Sequence, residues 1–296
     1  MPVFNDHLIP LEGGHAVSRG WLPWARDRPA GITLHWTATR DLALCRKLLG
    51  GPDAELKGRA SAHFGVGRTA DEGIDRYVTA ANRSWHAGVN QTLRWDGSKV
   101  AQRDHTGSRR RWTGARTTIG IEIVNVGYAR KGIPAGPDWI RAAVPSGSVE
   151  RLIEPWPEAQ LDMLVGLCQY LQQRWPHLTW RDYHGHADLC PGYKEDVIGF
   201  PFARLLRRVF DQPEIPDIWS PYQTIEGRQA ALVKLKFDLG SSGPEGDGVD
   251  GSWGRRSDAA LRTYQRRRTC VEDGYWTQTV SRCVYADLNP QEDFVP

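Results

Sequence analysis

The chain has 296 residues, with 38 Lys and Arg against 35 Asp and Glu and a formal net charge of +3. A balance so close to neutrality does not favour a nucleic-acid-binding protein, and the basic run Arg109–Arg111 is interpreted as a solvated loop. No segment approaches about 18 consecutive apolar residues, which excludes a membrane-spanning helix. Five cysteines are too few and too scattered for a disulfide framework, although Cys270 and Cys283 are close enough in sequence to pair.

The first 30 residues are rich in Pro and Gly and are expected to wrap the domain as a leader. They contain no apolar run of about seven residues behind a basic start, as a signal peptide would, and no lipid-attachment cysteine stands near the N-terminus. We therefore expect the chain to be synthesised in the cytoplasm without a signal peptide.

The segments that follow alternate between strand-like and helix-like patterns. Apolar and β-branched residues predict strands at Gly31–Trp36, Ser61–Gly67, Gly73–Ala80 and Thr118–Val126. Apolar residues at helical spacing predict helices at Leu42–Leu49, Pro157–Trp175 and Phe202–Phe210. This mixture predicts an α/β domain that occupies residues 1–210.

The pattern changes after residue 210. Residues 211–222 include three prolines in twelve positions, which is typical of a semi-rigid linker. Residues 223–296 are predicted to form a small three-helix domain, with helices at Ile225–Leu239, Ser257–Arg268 and Thr277–Tyr285. Ser257 is a suitable N-cap for the second of these helices.

Candidate metal ligands occur in two distant segments. The stretch Tyr183–Gly192 is so rich in Gly, Pro and polar residues that it predicts a turn-rich loop, and it contains His186, with Asp196 shortly after it. His and Asp are ligands that suit zinc, but two ligands are too few for a site. His35 lies at the end of a predicted buried strand, where its side chain can leave the sheet for a cleft, so it is the best candidate for a third ligand.

Glu122 interrupts an otherwise apolar strand, TIGIEIVNV. A carboxylate at such a position is unfavourable by several kcal/mol unless it is paired or reaches water. The alternation of the strand places Ile119, Ile121 and Ile123 on one face and Gly120 and Glu122 on the other. Glu122 is therefore predicted to point away from the core and towards the candidate metal.

Five motifs occur in the order and spacing of a known family. GITLHWTAT, SAHFGVGRT, SWHAG, GIEIVN and GHADLCPGYKED resemble the zinc-dependent N-acetylmuramoyl-L-alanine amidases of the amidase-2 family, which is related to phage lysozyme-like amidases and peptidoglycan recognition proteins. The resemblance covers roughly residues 20–210. It implies an α/β fold with a central mixed β-sheet flanked by helices, and hydrolysis of the amide bond between N-acetylmuramic acid and L-alanine in peptidoglycan.

The resemblance also implies roles for particular residues. It implies Zn²⁺ held by His35, His186 and Asp196. Glu122 and Lys194 would then be catalytic, with Glu122 as the proton carrier and Lys194 opposite the developing oxyanion. Trp85 and His86 are expected to line the substrate cleft.

Three further side chains compete for a place in the site. Some relatives use a cysteine as the third ligand, but eight residues after the histidine, whereas Cys190 follows His186 by four. This spacing favours Asp196. His63 is a rival ligand that we interpret as structural, and His184 would face away from His186 in an extended segment.

The C-terminal segment has its own resemblance. VDGSWGRRSDAALRTYQRRR is similar to the peptidoglycan-binding type-1 module, with Tyr264 and Gln265 at the aromatic–Gln pair that ends its helix. We therefore expect a monomer that binds polymeric peptidoglycan and acts on the cell wall in an endolysin-like or exported role, through a holin or a dedicated secretion system. A cytoplasmic recycling amidase, a non-catalytic recognition protein and a carbohydrate-cleaving muramidase are the alternatives.

Overall fold

The computed structural model describes residues 2–9, 21–23, 29–50, 60–87, 91–93, 99–101, 118–268 and 272–291. The strands within these ranges are β1 (Phe4–Asp6), β2 (Trp21–Pro23), β3 (Gly31–Trp36), β4 (Phe64–Val66), β5 (Ile74–Arg76), β6 (Asn82–Ser84), β7 (Gln91–Leu93), β8 (Lys99–Ala101), β9 (Thr118–Ile123), β10 (Ile140–Ala143), β11 (Glu150–Ile153) and β12 (Tyr183–Gly185). The helices are α1 (Leu42–Leu49), α2 (Glu158–Arg174), α3 (His186–Leu189), α4 (Phe202–Phe210), α5 (Ile225–Lys234), α6 (Arg255–Arg268) and α7 (Gln278–Leu288).

A mixed six-stranded sheet organises the larger part of the described chain. Its strand order is β1–β5–β4–β9–β3–β12. β4 and β5 are antiparallel, whereas the other neighbours in the sheet are parallel. The pairs β2–β6, β7–β8 and β10–β11 form separate two-stranded sheets. The leader thus contributes an edge strand, β1, to the main sheet.

Helices cover both faces of this sheet. On one face, α2 and α4 pack on the main core, which includes Ile119, Ile121 and Ile123 of β9. On the other face, α1 contributes Leu42 and Cys45 to a smaller cluster. The predicted α/β fold, with a central mixed sheet between helices, is confirmed.

The three C-terminal helices have a core of their own. Apolar side chains of α5, α6 and α7 pack there with Trp276, which precedes α7. The preceding proline-rich segment contributes Ile215, Ile218 and Trp219 to the main core. The buried guanidinium of Arg228 on α5 donates hydrogen bonds to the carbonyl oxygens of Ala143 and Val144 in the larger part, and to that of Tyr222. The C-terminal helices therefore lie directly against the main sheet's domain.

Several predicted boundaries are wrong. Tyr183–Gly192 is not entirely loop, because its first residues pair with β3 to form β12 and the next ones form α3. α5 ends at Lys234 rather than Leu239, since Lys236 adopts a left-handed conformation with φ of +68°. α6 begins at Arg255, so Ser257 is not its N-cap; the Ser257 hydroxyl instead accepts a hydrogen bond from Gln229 at 3.3 Å.

Two other features concern cysteines and membranes. Cys283 is a buried free thiol, and Cys270 lies outside the described residues. Among the described helices, none has the length and apolar character needed to cross a membrane.

Candidate metal centre

Two parallel strands bring the first two candidate ligands together. β3 and β12 pair side by side, with Leu34 opposite Gly185. His35 and His186 are the next residue of each segment, so both reach the carboxyl edge of the sheet at neighbouring positions. Because β12 ends there and α3 begins with His186, that side chain turns towards His35. The 151 residues that separate them in sequence are bridged by strand pairing.

A loop returns Asp196 to the same point. The backbone N–H of Ala187 donates a hydrogen bond to the carbonyl oxygen of Asp196, which fixes the loop against the start of α3. The Nδ1 atoms of His35 and His186 are 3.0 Å apart, and each lies 3.1 Å from Oδ2 of Asp196. All three side chains are buried. Each offers one ligand atom to a common point.

The electrostatics of this group favour the protonation states that bind metals. Burial, with a further contribution from His186, lowers the pKa of His35 to about 4, so its imidazole is neutral near pH 7. Burial alone would raise the pKa of Asp196, but His186 and His35 more than offset this and hold that pKa well below its ordinary value. The group therefore presents a neutral imidazole and a carboxylate.

The donor set fits zinc. Zn²⁺ binds imidazole nitrogen and carboxylate oxygen at about 2.0–2.2 Å, so its ligand atoms in tetrahedral sites are separated from one another by about 3.3–3.6 Å. The separations of 3.0–3.1 Å observed here are only slightly shorter. Three protein ligands leave one coordination position for water or substrate, as catalytic zinc sites do.

Glu122 lies on the strand beside His35. In the β3–β9 register His35 is opposite Glu122, so both side chains occupy the same face of the sheet. On its other side Glu122 is opposite Gly65 of β4, where the Tyr77 hydroxyl fills the space that a side chain would take. Burial, followed by the charge of Asp196, raises the pKa of Glu122 well above its ordinary value, although Lys194 opposes this in part. The raised pKa favours the protonated carboxyl, the form in which a general acid donates its proton.

Lys194 and Cys190 lie on the loop between the two later ligands. Lys194 is half-buried, with its Nζ 5.1 Å from the centre of the Tyr193 ring. The Cys190 Sγ is directed at the carbonyl oxygen of Ala87, 4.0 Å away, and the residue is not part of the His35–His186–Asp196 group. Burial raises the pKa of the Cys190 thiol to about 12.

The other candidate histidines have protein partners. His63 Nε2 lies 2.8 Å from the carbonyl oxygen of Asn82, and its Nδ1 accepts the N–H of Gly120 at 2.9 Å. His184 Nδ1 lies 2.9 Å from Oε1 of Gln278 on α7. Neither histidine belongs to the group that converges on a common point.

The two predicted substrate residues differ in their surroundings. Trp85 is exposed, whereas its neighbour His86 is only 8% exposed. His86 Nδ1 lies 2.9 Å from Nε2 of His35, and His86 Nε2 lies 2.9 Å from the carbonyl oxygen of Thr118. The sequence motif predicted His86 in the cleft, whereas its contact with His35 joins residues 51 positions apart and follows only from the fold.

Asp188 is a further residue of the site that was not predicted from the sequence. One of its carboxylate oxygens accepts the backbone N–H of Gly185 at 2.9 Å, and the other accepts that of Gln278 at 2.8 Å. It therefore fixes the start of α3, which carries His186, to the start of α7. The sequence signal is its position. Asp188 is the third residue of α3, three positions after Gly185, where a carboxylate can accept a hydrogen bond from the N–H group at the start of the helix.

The fold and the site together define an α/β protein with a buried His–His–Asp group of the kind that binds metal ions. The model of the Amidase_2 family, N-acetylmuramoyl-L-alanine amidase, matches residues 25–196. The chain therefore belongs to the N-acetylmuramoyl-L-alanine amidase family. It matches no curated protein sequence.

Similar solved structures include proteins from E. coli, Pseudomonas aeruginosa and Bacillus subtilis. The complex of AmiD from E. coli with the substrate anhydro-N-acetylmuramic acid-L-Ala-D-γ-Glu-L-Lys is 19% identical, covers 92% of each chain and superposes with a TM-score of 0.46. AmpDh3 from Pseudomonas aeruginosa in complex with anhydromuramic pentapeptide is 22% identical over 89% of this chain and 92% of its own, with a TM-score of 0.45. A mutant endolysin from Bacillus subtilis is 18% identical over 72% of this chain and 96% of its own, with a TM-score of 0.39.

Proposed function

We propose that the protein is a zinc-dependent hydrolase of the amide bond between N-acetylmuramic acid and L-alanine in peptidoglycan. The observation that carries this proposal is the convergence of His35, His186 and Asp196 within 3.0–3.1 Å of one another, in a chain of the amidase family. His35, His186 and Asp196 would hold the ion. When bound, zinc supplies Lewis-acid polarisation of the scissile carbonyl and a lowered pKa for attacking water.

The remaining chemistry falls to two side chains. Glu122 accepts a proton from the attacking water and returns it to the departing nitrogen of L-alanine; burial, which raises its pKa, favours the protonated form that donates. Lys194 places its ammonium against the oxyanion that develops on the carbonyl. The exposed Trp85 offers an aromatic face to the glycan or the stem peptide.

Product analysis tests the bond that is cleaved. We expect digestion of purified sacculi to release stem peptides with a free L-alanine amino group and to leave the glycan strands intact, as shown by mass spectrometry. Activity should disappear on chelation and return with Zn²⁺. New reducing sugar ends without free L-alanine would show a glycosidase instead and would overturn the proposal. The Glu122→Gln variant is the control for contaminating hydrolases.

The substrate that we propose is polymeric peptidoglycan, with residues 223–296 as a wall-binding domain after the linker 211–222. The support for this role is the similarity of the Val249–Arg268 segment to a peptidoglycan-binding module, together with the separate apolar core that the C-terminal helices form. A bound wall domain raises the effective substrate concentration at an insoluble polymer, often to the mM range. An endolysin-like or exported lytic role follows, in which the enzyme reaches the wall through a holin or a dedicated secretion system.

This role predicts a difference between two substrates. The full-length Glu122→Gln protein should co-sediment with intact sacculi, and the binding should persist when a soluble muropeptide is added in excess. The wild-type enzyme should have a higher kcat/KM on sacculi than on the soluble muropeptide. If the Glu122→Gln protein did not co-sediment with sacculi, and the wild-type enzyme were fully active on the soluble muropeptide, the protein would be a recycling amidase instead.

A further inference from the structure

The ring of His86 connects a candidate metal ligand to a backbone carbonyl group. His86 Nε2 lies 2.9 Å from the carbonyl oxygen of Thr118, and His86 Nδ1 lies 2.9 Å from Nε2 of His35. The other nitrogen of His35, Nδ1, faces His186 and Asp196. Three groups thus form one continuous row that begins at the backbone of β9 and ends at the candidate metal site.

The Thr118 carbonyl group determines which ring nitrogens of His86 and His35 carry a hydrogen. A carbonyl oxygen can only accept a hydrogen bond, so His86 Nε2 must carry the hydrogen. In the neutral ring His86 Nδ1 is then an acceptor, and His35 Nε2 must donate to it. This leaves His35 Nδ1 with a lone pair directed at His186 and Asp196, which is the form that binds a metal.

The packing around His86 holds its ring in one position. A Cβ atom on Gly120 would lie 2.3 Å from Cγ of His86, so the ring occupies space that only glycine leaves open at this position of β9. The ring planes of His35 and His86 are nearly perpendicular, at 84°. The hydroxyl of Thr118 lies farther from His86 Nε2, at 3.4 Å, and instead makes a 2.7 Å hydrogen bond with Thr33.

We propose that His86 is a positioning residue. Because it donates to the Thr118 carbonyl and accepts from His35 Nε2, it selects the tautomer in which His35 Nδ1 binds zinc. This proposal rests on the proposed zinc site. It differs from the expected role of His86 in the substrate cleft, because the ring contacts a ligand and is buried. Partners of this kind typically contribute about 10–100-fold to metal affinity.

The first test uses the wild-type protein without metal. Long-range ¹H–¹⁵N correlation spectra distinguish protonated from unprotonated imidazole nitrogens. We expect hydrogen on Nε2 and a lone pair on Nδ1 for both His35 and His86. Hydrogen on Nδ1 of His35 would overturn the proposal, whether or not the protein is an amidase. His63 provides an internal control, since its own partners also predict hydrogen on Nε2.

The second test uses a pair of nearly isosteric variants. In His86→Asn the side-chain oxygen can still accept from His35 Nε2, whereas His86→Leu offers no acceptor. We expect zinc affinity, measured by competition with a chelating dye, to fall about 10–100-fold in His86→Leu and by much less in His86→Asn. The His35 tautomer should become mixed only in the leucine variant, while the His63 signals stay unchanged.

Equal zinc affinity in the leucine variant and the wild type would also overturn the proposal. If both variants lost affinity equally while the His35 tautomer stayed fixed, His86 would have a packing role alone. Neither readout depends on hydrolysis of peptidoglycan. A wrong assignment of the substrate would therefore leave both results intact.

Discussion

Two buried histidines on neighbouring parts of the same sheet show how different a buried imidazole can be. Each ring nitrogen of His63 has a complementary partner. Nε2 faces the Asn82 carbonyl, and Nδ1 faces the Gly120 N–H and the Ser84 hydroxyl. His35 contacts the ring of His86 at Nε2. Its Nδ1 faces another imidazole nitrogen and a carboxylate oxygen.

The difference lies in the balance of donors and acceptors rather than in burial. Both residues are almost fully buried, and burial lowers the pKa of each to about 4. Around His63 the protein satisfies every polar atom of the ring itself, which is the usual condition of a buried polar group. Around His35 several atoms with lone pairs converge on one point, where a cation would satisfy them all. Convergent acceptors distinguish a ligand site from a structural histidine.

Removal of a ligand should give the largest effect. We expect His35→Ala, His186→Ala and Asp196→Ala each to abolish the retention of zinc, because two ligands do not hold the ion in competition with water. Cys190→Ser should retain it, since the buried thiol is not in the ligand group. The measurement is zinc per chain by atomic emission after dialysis. Loss of zinc in Cys190→Ser, together with retention in Asp196→Ala, would show that the third ligand is misassigned.

Glu122→Gln and Lys194→Ala should separate chemistry from metal binding. Neither side chain is a proposed ligand, so both variants should retain zinc. Loss of a proton carrier or of an oxyanion partner typically lowers kcat by about 10²–10⁴-fold. Metal content and steady-state kinetics on a soluble muropeptide measure the two effects on the same preparation. Loss of zinc in either variant would move that residue into the ligand set.

Arg228 extends the comparison to the contact with the C-terminal helices. Like His63, it has its partners within the protein, since Nε and both terminal nitrogens each donate to a backbone carbonyl group. Arg228→Met should lower the free energy of unfolding by about 2–4 kcal/mol, because those buried carbonyls lose their partners. Denaturant unfolding of the zinc-loaded protein measures the change. A variant as stable as wild type would show that the carbonyls find water in place of the guanidinium.

His63→Leu should give the smallest effect on function. The substitution leaves the N–H of Gly120 and the carbonyl of Asn82 without a partner, which should lower the free energy of unfolding by about 1–3 kcal/mol. Zinc per folded chain should not change. If the variant folded with wild-type stability but lost zinc, the contrast between His63 and His35 would fail.

Local patterns predicted six of the seven described helices but only four of the twelve described strands, and they misplaced some of the ends. α1 and α4 were predicted with correct bounds because apolar spacing and a clear end signal agree in each. β12 was missed because its three residues are extended only through pairing with β3, while their own composition favours turns. The ends of α5 and α6 depend on local conformations and contacts, such as the left-handed Lys236, that no periodicity reveals.

The amino-acid sequence by itself determined the family, the face of β9 on which Glu122 lies, and the identity of the candidate ligands. These follow from short motifs and from strand alternation, which are local properties. Only the tertiary structure decided that His35, His186 and Asp196 converge, that His86 contacts a ligand, and that α7 contacts the segment carrying His186. Except for His186 and Asp196, which are 10 positions apart, those contacts join residues between 51 and 161 positions apart, and they depend on strand pairing and helix packing across the fold.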